Sequence, residues 1–226
     1  MLQRAQVVHR KRAIILFEGW HGAGKKAALK KLTAALDPCH FVVHDVGVPN
    51  AFEGDRHWLA PFWSALPAAG KSAIFYRSWY RRASEEMVLA RLGPKALARI
   101  LDEINEFESQ QCDHGTILIK LFFHVSEEVQ EERMKALIAD PWARHLLTEE
   151  DISRVRRYRD YVPLLGDIFD QTNTRWAPWK VIDAADREAA QIAALGHLAA
   201  VIEKGVPLEP PVAQASADIL DFRRAG

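Results

Sequence analysis

The stretch LFEGWHGAGKKAALKKL, residues 16–32, places glycines and lysines at a spacing that can hold phosphate. Gly19, Gly24 and Lys25 fit G-x-x-x-x-G-K. Together with Gly22 they let successive backbone N–H groups turn inward around an anion, and a helix starting near Lys25 adds its positive end. Lys25 would reach terminal phosphate oxygens. The plainer alternative is a glycine turn that merely joins a strand to a helix. Two letters depart from the motif. Lys26 stands where a Ser or Thr hydroxyl normally meets Mg²⁺, and the middle of the loop carries His21 and no carboxylate. Lys26 reads equally as a second phosphate contact or as a solvated helix residue.

Further cations follow the same logic. Arg77 comes directly after the apolar run SAIFY, and ligand sites form at the carboxyl ends of parallel strands. Arg81 and Arg82 follow one turn later. Lys120 interrupts the apolar run TILIKLFFHV, where a lysine is costly unless paired or near the surface. An anion pocket and an internal salt bridge would both explain it. The expectation preferred here is the pocket, with Lys25, Arg77 and Lys120 converging on one site. His44, His114 and His124 have no metal-ligand spacing and read as packing residues.

These residues need a scaffold, and the patterning supplies one. AIILF before the loop is a fully apolar run, as in a buried parallel strand. After the loop, Ala28, Leu29, Leu32, Ala35 and Leu36 form an apolar helical face that Asp37-Pro38 ends. Strands are expected at residues 41–48, 72–76, 116–125 and 179–183, with a short helix at 58–66. Leu97, Ile100, Leu101, Ile104 and Phe107 mark a long amphipathic helix. Ser126 caps an acidic-start helix that Asp140-Pro141 breaks, and Ile192, Leu195, Leu198 and Ile202 mark a last core helix. Residues 142–160 are cation-rich and weakly apolar, either a solvated helical hairpin or a lid over anions. Alternating strands and helices predict an α/β fold, a three-layer sandwich around a parallel sheet, over residues 1–204. A loose tail is expected over residues 205–226.

Composition narrows the function. The 226 residues carry 30 Lys+Arg and 30 Asp+Glu, a net charge of zero, so a protein that coats nucleic acid is not expected. Cys39 and Cys112 are far apart and read as free thiols in a reducing compartment. No apolar run approaches a membrane span, and the basic N-terminus lacks the apolar centre of a secretory signal. The expectation is a cytoplasmic protein with no membrane partner.

FEGWHGAGKK, FYRSWYRR, ILIKLFFHVSEEVQEERMKAL and TNTRWAPWKVIDAADREAA resemble, in order, the motifs of the polyphosphate kinase 2 family. The resemblance implies a P-loop fold with a helical lid. It implies phosphate transfer between inorganic polyphosphate and nucleoside mono- or diphosphates, Mg²⁺ as cofactor, and a homo-oligomer. It assigns phosphate binding to Gly19, Gly24, Lys25, Arg77 and Lys120, and makes Arg144 a lid cation. The departures are specific. The family's loop aspartate is His21, its last loop glycine is Lys26, and the aspartate of its D-R-S-W-Y motif is Tyr76. A second lid cation is Leu146, and an arginine near the Leu66-Pro67 turn is Pro61. With both carboxylates gone the metal ligands are left unassigned, and slow transfer is expected. The segment ESQQCDHGTILIKLFFHVS is closer to the degenerate first copy of two-domain polyphosphate:AMP phosphotransferases. A silent domain that binds polyphosphate or nucleotide, or assembles with an active relative, is therefore the alternative. A small-molecule kinase similar to thymidylate kinase is disfavoured by the missing Ser/Thr after Lys25.

Overall fold

The structure is a computed structural model that describes residues 1–47, 56–81, 83–84 and 93–211. Its described strands form one five-stranded parallel sheet, ordered β2-β3-β1-β4-β5. In chain order the main elements are α1 (Leu2–Val8), β1 (Arg12–Gly19), α2 (Lys25–Ala34), β2 (Phe41–Asp45), α3 (Ala60–Ser64) and β3 (Ser72–Tyr76). Then come α4 (Pro94–Asp113), β4 (Thr116–His124), α5 (Glu127–Ala139), α6 (Glu149–Arg156), α7 (Tyr158–Thr172), β5 (Trp179–Asp183) and α8 (Arg187–Gly205). The strand expectations match within a residue or a few, except that Val48 lies outside the described residues.

The run of apolar residues in β1 is explained by its central place. β1 pairs with β3 on one side and β4 on the other, and Ala13 to Phe17 are all 1% exposed or less. A strand covered on both faces has no polar face to alternate with. Because every strand runs the same way, the carboxyl ends of β1, β3, β4 and β5 share one edge of the sheet. Helix starts are fixed by local chemistry. Ser126 accepts from the Val129 amide at the start of α5, and Asp186 accepts from Glu188 and Ala189 at the start of α8. The packed unit runs past residue 204: Val206 is 3% exposed, and His9 bonds the Glu209 carbonyl at 2.7 Å. Most of the expected tail, 212–226, lies outside the described residues.

Lys120 corrects a sequence expectation. It is fully buried at mid-strand, and its ammonium is 2.8 Å from Glu108 on α4. It also donates to the Thr172 carbonyl at 2.7 Å and to the Tyr80 hydroxyl at 3.2 Å. Glu108 accepts in turn from Tyr80 at 2.7 Å and Trp79 at 3.0 Å. Of the two readings of this lysine, the internal salt bridge is the one found. Burial pushes the lysine pKa down and the glutamate pKa up, while each partner opposes the other's shift. Removing one partner leaves a buried unpaired charge, which costs about 3–5 kcal/mol. Lys120→Met should lower unfolding stability by that amount in urea titration. Adding Glu108→Gln, which keeps an acceptor for Trp79 and Tyr80, should recover much of it. If the double variant is stable but loses phosphate-chain affinity, Lys120 belongs to the site after all.

Candidate functional site

The loop between β1 and α2 is shaped by its glycines. Gly19 has φ 125°, and a Cβ there would sit 2.2 Å from the Phe123 carbonyl oxygen. Gly24 has φ 90°, in the left-handed region, and is the N-cap of α2. It offers no side chain to satisfy the first amides of that helix, which are left to an incoming acceptor. Lys25 folds back over the loop and donates to the carbonyls of Gly19 at 2.6 Å and Trp20 at 2.7 Å. Helix α5 braces the loop from outside: Gln130 donates to the His21 carbonyl at 3.1 Å, and Arg133 to the Gly22 carbonyl at 3.2 Å.

Arg77 leaves β3 with φ 66°, unusual for a residue with a side chain, and its amide donates to the Phe17 carbonyl at 3.1 Å. That bond draws the end of β3 against β1 and turns Arg77 into the cavity beside Lys25. Ser78, fully buried, donates to Glu18 at 2.7 Å. Arg81 lines the same cavity and donates to the Val46 carbonyl. Arg154 enters from α6.

The sequence-predicted residues therefore divide. Gly19, Lys25 and Arg77 meet at one cavity, and His21 lies on its rim. Lys26 is exposed on the second position of α2. Arg144 is exposed on a 3-10 turn, Ala143–Leu146, and Leu146 is 78% exposed beside it. Lys120 stands behind the cavity wall, its ammonium 5.4 Å from the Tyr80 ring centre and 5.1 Å from that of Trp179. Both rings line the cavity. Arg82 lies outside the described residues. Sequence reasoning passed over Arg154 and Asp151. The Thr148-x-x-Asp151 spacing was a readable helix-start signal, and the two residues do form a reciprocal capping box.

Asp151 does more than cap α6. It is 5% exposed, its carboxylate is 3.2 Å from His21 Nδ1 and 3.5 Å from the Arg77 guanidinium. Burial alone would raise its pKa, but His21 and Thr148 hold it well below the usual carboxylate range. Trp20 in the loop stacks on Tyr158 at 4.1 Å, and the Tyr158 hydroxyl donates to the Val125 carbonyl at 3.0 Å. Thus α6 and α7 are fastened to the loop at Asp151 and Tyr158. The cavity beneath measures about 100 Å³. Ligand pockets span roughly 300–1,000 Å³, so the space under these helices is small for one.

The donor set does not suit Mg²⁺, which wants a near-octahedral shell of oxygens. Tyr76 stands at one departed position, and burial raises its phenol pKa further, which keeps it neutral near pH 7. His21 stands at the other and is engaged with Asp151. Glu18 accepts from Ser78, and burial pushes its pKa up while that bond and the neighbouring Lys25 oppose the shift. Among the described residues no three His, Cys, Asp or Glu side chains are grouped to hold a metal ion.

A glycine loop between a central parallel strand and a helix, with a lysine reaching over it and a helical cover, has the architecture of the P-loop α/β class. The family model for Polyphosphate kinase 2 (PPK2) matches residues 1–208, and the chain belongs to that family. It is 34% identical to the polyphosphate:AMP phosphotransferase of Pseudomonas syringae pv. tomato over 84% of this chain and 38% of that protein. It is 31% identical to ADP-polyphosphate phosphotransferase 3 of Rhizobium meliloti over 88% of this chain and 71% of the relative. The crystal structure of polyphosphate kinase 2 from Arthrobacter aurescens TC1 superposes with a TM-score of 0.89 at 26% identity, covering 99% of this chain and 80% of that one. The chain thus spans well under half the length of the first of these relatives.

Two outcomes follow from the geometry. Burial, helped by Arg77, Arg154 and Arg81 and opposed by Glu18, lowers the Lys25 pKa to about 7. A bound phosphate favours the charged form, so binding should draw in a proton wherever free Lys25 is neutral. Calorimetry in buffers of different ionisation enthalpy should find uptake near zero at pH 6, rising toward ~1 proton by pH 8. Equal heats in all buffers would contradict the lysine assignment. Separately, Asp151→Ala should speed amide exchange in α6 and the start of α7 by about tenfold or more, the worth of a charged hydrogen bond. Unchanged exchange there would mean that the helices are held by packing alone.

Proposed function

We propose that this chain transfers a phosphoryl group between inorganic polyphosphate and a nucleoside mono- or diphosphate, and does so slowly. The observation that carries this reading is one cavity lined by two kinds of side chain. Lys25 and Arg77 meet there at the glycine loop, and the rings of Trp20, Tyr80, Phe122, Phe169 and Trp179 line the same space. Cations suit phosphate oxygens, and aromatic faces suit a base. The names of the matched relatives, a polyphosphate:AMP and an ADP-polyphosphate phosphotransferase, support the same pair of substrates.

In the transfer, a phosphate oxygen of the nucleotide bonds to the terminal phosphorus of the polyphosphate. The bond from that phosphorus to the bridging oxygen breaks, and the shortened chain leaves with the electron pair. Lys25 and Arg77 neutralise the oxygens while charge moves. Closing α6 over the site excludes water, which would otherwise compete as acceptor. The absent carboxylates fall on this step rather than on ground-state binding, because they would have held Mg²⁺ beside the oxygens where negative charge develops. Their loss should slow turnover by roughly 3 kcal/mol or more, about a hundredfold. Self-association and a cytoplasmic setting belong to the same proposal, and light scattering reads the first.

The contact between His21 and Asp151 favours a second reading. The loop side chain is committed to holding the cover, as suits a binding domain that assembles with an active relative. A phosphotransfer assay with polyphosphate and each nucleoside mono- and diphosphate separates the two. His21→Asp with Tyr76→Asp should raise turnover more than it tightens binding, and the two changes should be non-additive. Lys26→Gly is added if the ammonium blocks the gain. An unmodified chain that already matches the restored variant would refute the charge argument. No turnover in either protein would leave the binding reading in place.

A further inference from the structure

The two carboxylate oxygens of Asp151 have different surroundings. Oδ2 closes the start of α6, accepting from the Thr148 hydroxyl at 2.9 Å and the Thr148 amide at 3.2 Å. Oδ1 takes no part in that cap. It lies 3.2 Å from His21 Nδ1 and 3.5 Å from an Arg77 guanidinium nitrogen. Neither contact is aligned as a hydrogen bond, and among the described residues Oδ1 has no hydrogen-bond partner. A buried oxygen left in that condition is costly. The carboxylate is nonetheless kept charged: burial opposes ionisation, but His21 and Thr148 outweigh it. It is buried, so water screens its charge poorly. His21 and Arg77 both line the cavity. An anion arriving at Arg77 therefore meets a carboxylate at close range and is repelled unless it takes that carboxylate's place.

We propose that Asp151 is a built-in competitor for the phosphate site. Its Oδ1 holds the place of an anion beside Arg77 and His21, and a phosphate group is bound there only after it takes those partners over. The exchange favours a phosphate, which brings more acceptor oxygens and can meet the guanidinium in two parallel hydrogen bonds. It leaves the helix start intact, because Oδ2 keeps its bonds to Thr148. While the carboxylate stays in place, only the fraction of molecules with Arg77 released is competent, and apparent affinity falls by that fraction. The choice of phosphate as ligand rests on the reading above; the competition holds whether the phosphate is transferred or only bound.

The test is a titration of the full chain with inorganic tripolyphosphate at fixed pH and ionic strength. Asp151→Asn removes the charge and keeps an oxygen for Thr148, and it should tighten binding about tenfold. Asp151→Ala, the second variant, should tighten binding as well. Thr148→Val strips the hydroxyl from the cap and leaves the carboxylate, so it should quicken amide exchange in α6 without tightening binding. Thermal unfolding confirms that each variant is folded. In the unmodified chain, saturating tripolyphosphate should shift the His21 imidazole resonances, assigned by their loss in His21→Gln. Unchanged or weaker binding in Asp151→Asn, or in Asp151→Ala should the first fail to fold, overturns the proposal. So does equal tightening in Thr148→Val, which would trace the gain to a loosened helix. His21 resonances that do not respond to the ligand overturn it too. Absent binding by all of these proteins counts against phosphate binding itself, and the proposal falls with it. Tighter binding in Asp151→Asn with no turnover in a phosphotransfer assay counts against the proposed reaction alone.

Discussion

Phe123 leaves no room for a side chain at residue 19. Its carbonyl would lie 2.2 Å from any Cβ there, so β1 and β4 stay paired to the last residue of β1 only because that residue is glycine. The remainder of the site is hung from this close approach. The chain departs from the sheet at Gly19 with φ 125°, which aims the loop back across the strand end and brings its carbonyls under the Lys25 ammonium. Arg77 meets the same edge through the Phe17 carbonyl. Had β1 frayed one residue earlier, loop and arginine would have no common reference.

Two buried lysines show how differently a sheet protein can treat a charge. Lys120 is matched by Glu108 and closed off by Tyr80, Trp79 and Thr172, so its field ends within the core. Lys25 has Glu18 as its acidic neighbour, and Arg77, Arg81 and Arg154 work against it. Its charge is therefore held back, with a pKa of about 7, until an anion arrives to favour it. The first arrangement stiffens the wall that carries Tyr80 and Trp179. The second prepares the space that the wall encloses.

How much of this was readable in the sequence depended on how local the cause was. The strand runs, the glycine loop and the Ser126 cap are decided within a few residues, and the structure agrees with them. The short α1 was passed over because its sequence was weighed as a possible leader rather than for periodicity. Helix α7 was hidden by Pro163, which sits inside it. At Lys120 the cost of burial is legible, but the partner lies across a turn on another element, and the sequence favours the pocket over the salt bridge that the structure shows. Asp151 and His21 are far apart along the chain, and no pattern joins them. Arg154 likewise gave no signal, because only the docking of α6 brings it to the loop.

Lys25 also keeps the loop in shape by itself. Its ammonium already holds the Gly19 and Trp20 carbonyls, which pins the turn before any anion arrives. A loop so preorganised loses little conformational entropy on capture. What an incoming phosphate must do is exchange bonds, taking the lysine from two neutral carbonyls. A weakly charged or strongly hydrated anion gains little by that exchange, whereas a dense polyanion gains much. The internal bonds of the lysine thus set a threshold of charge density for entry.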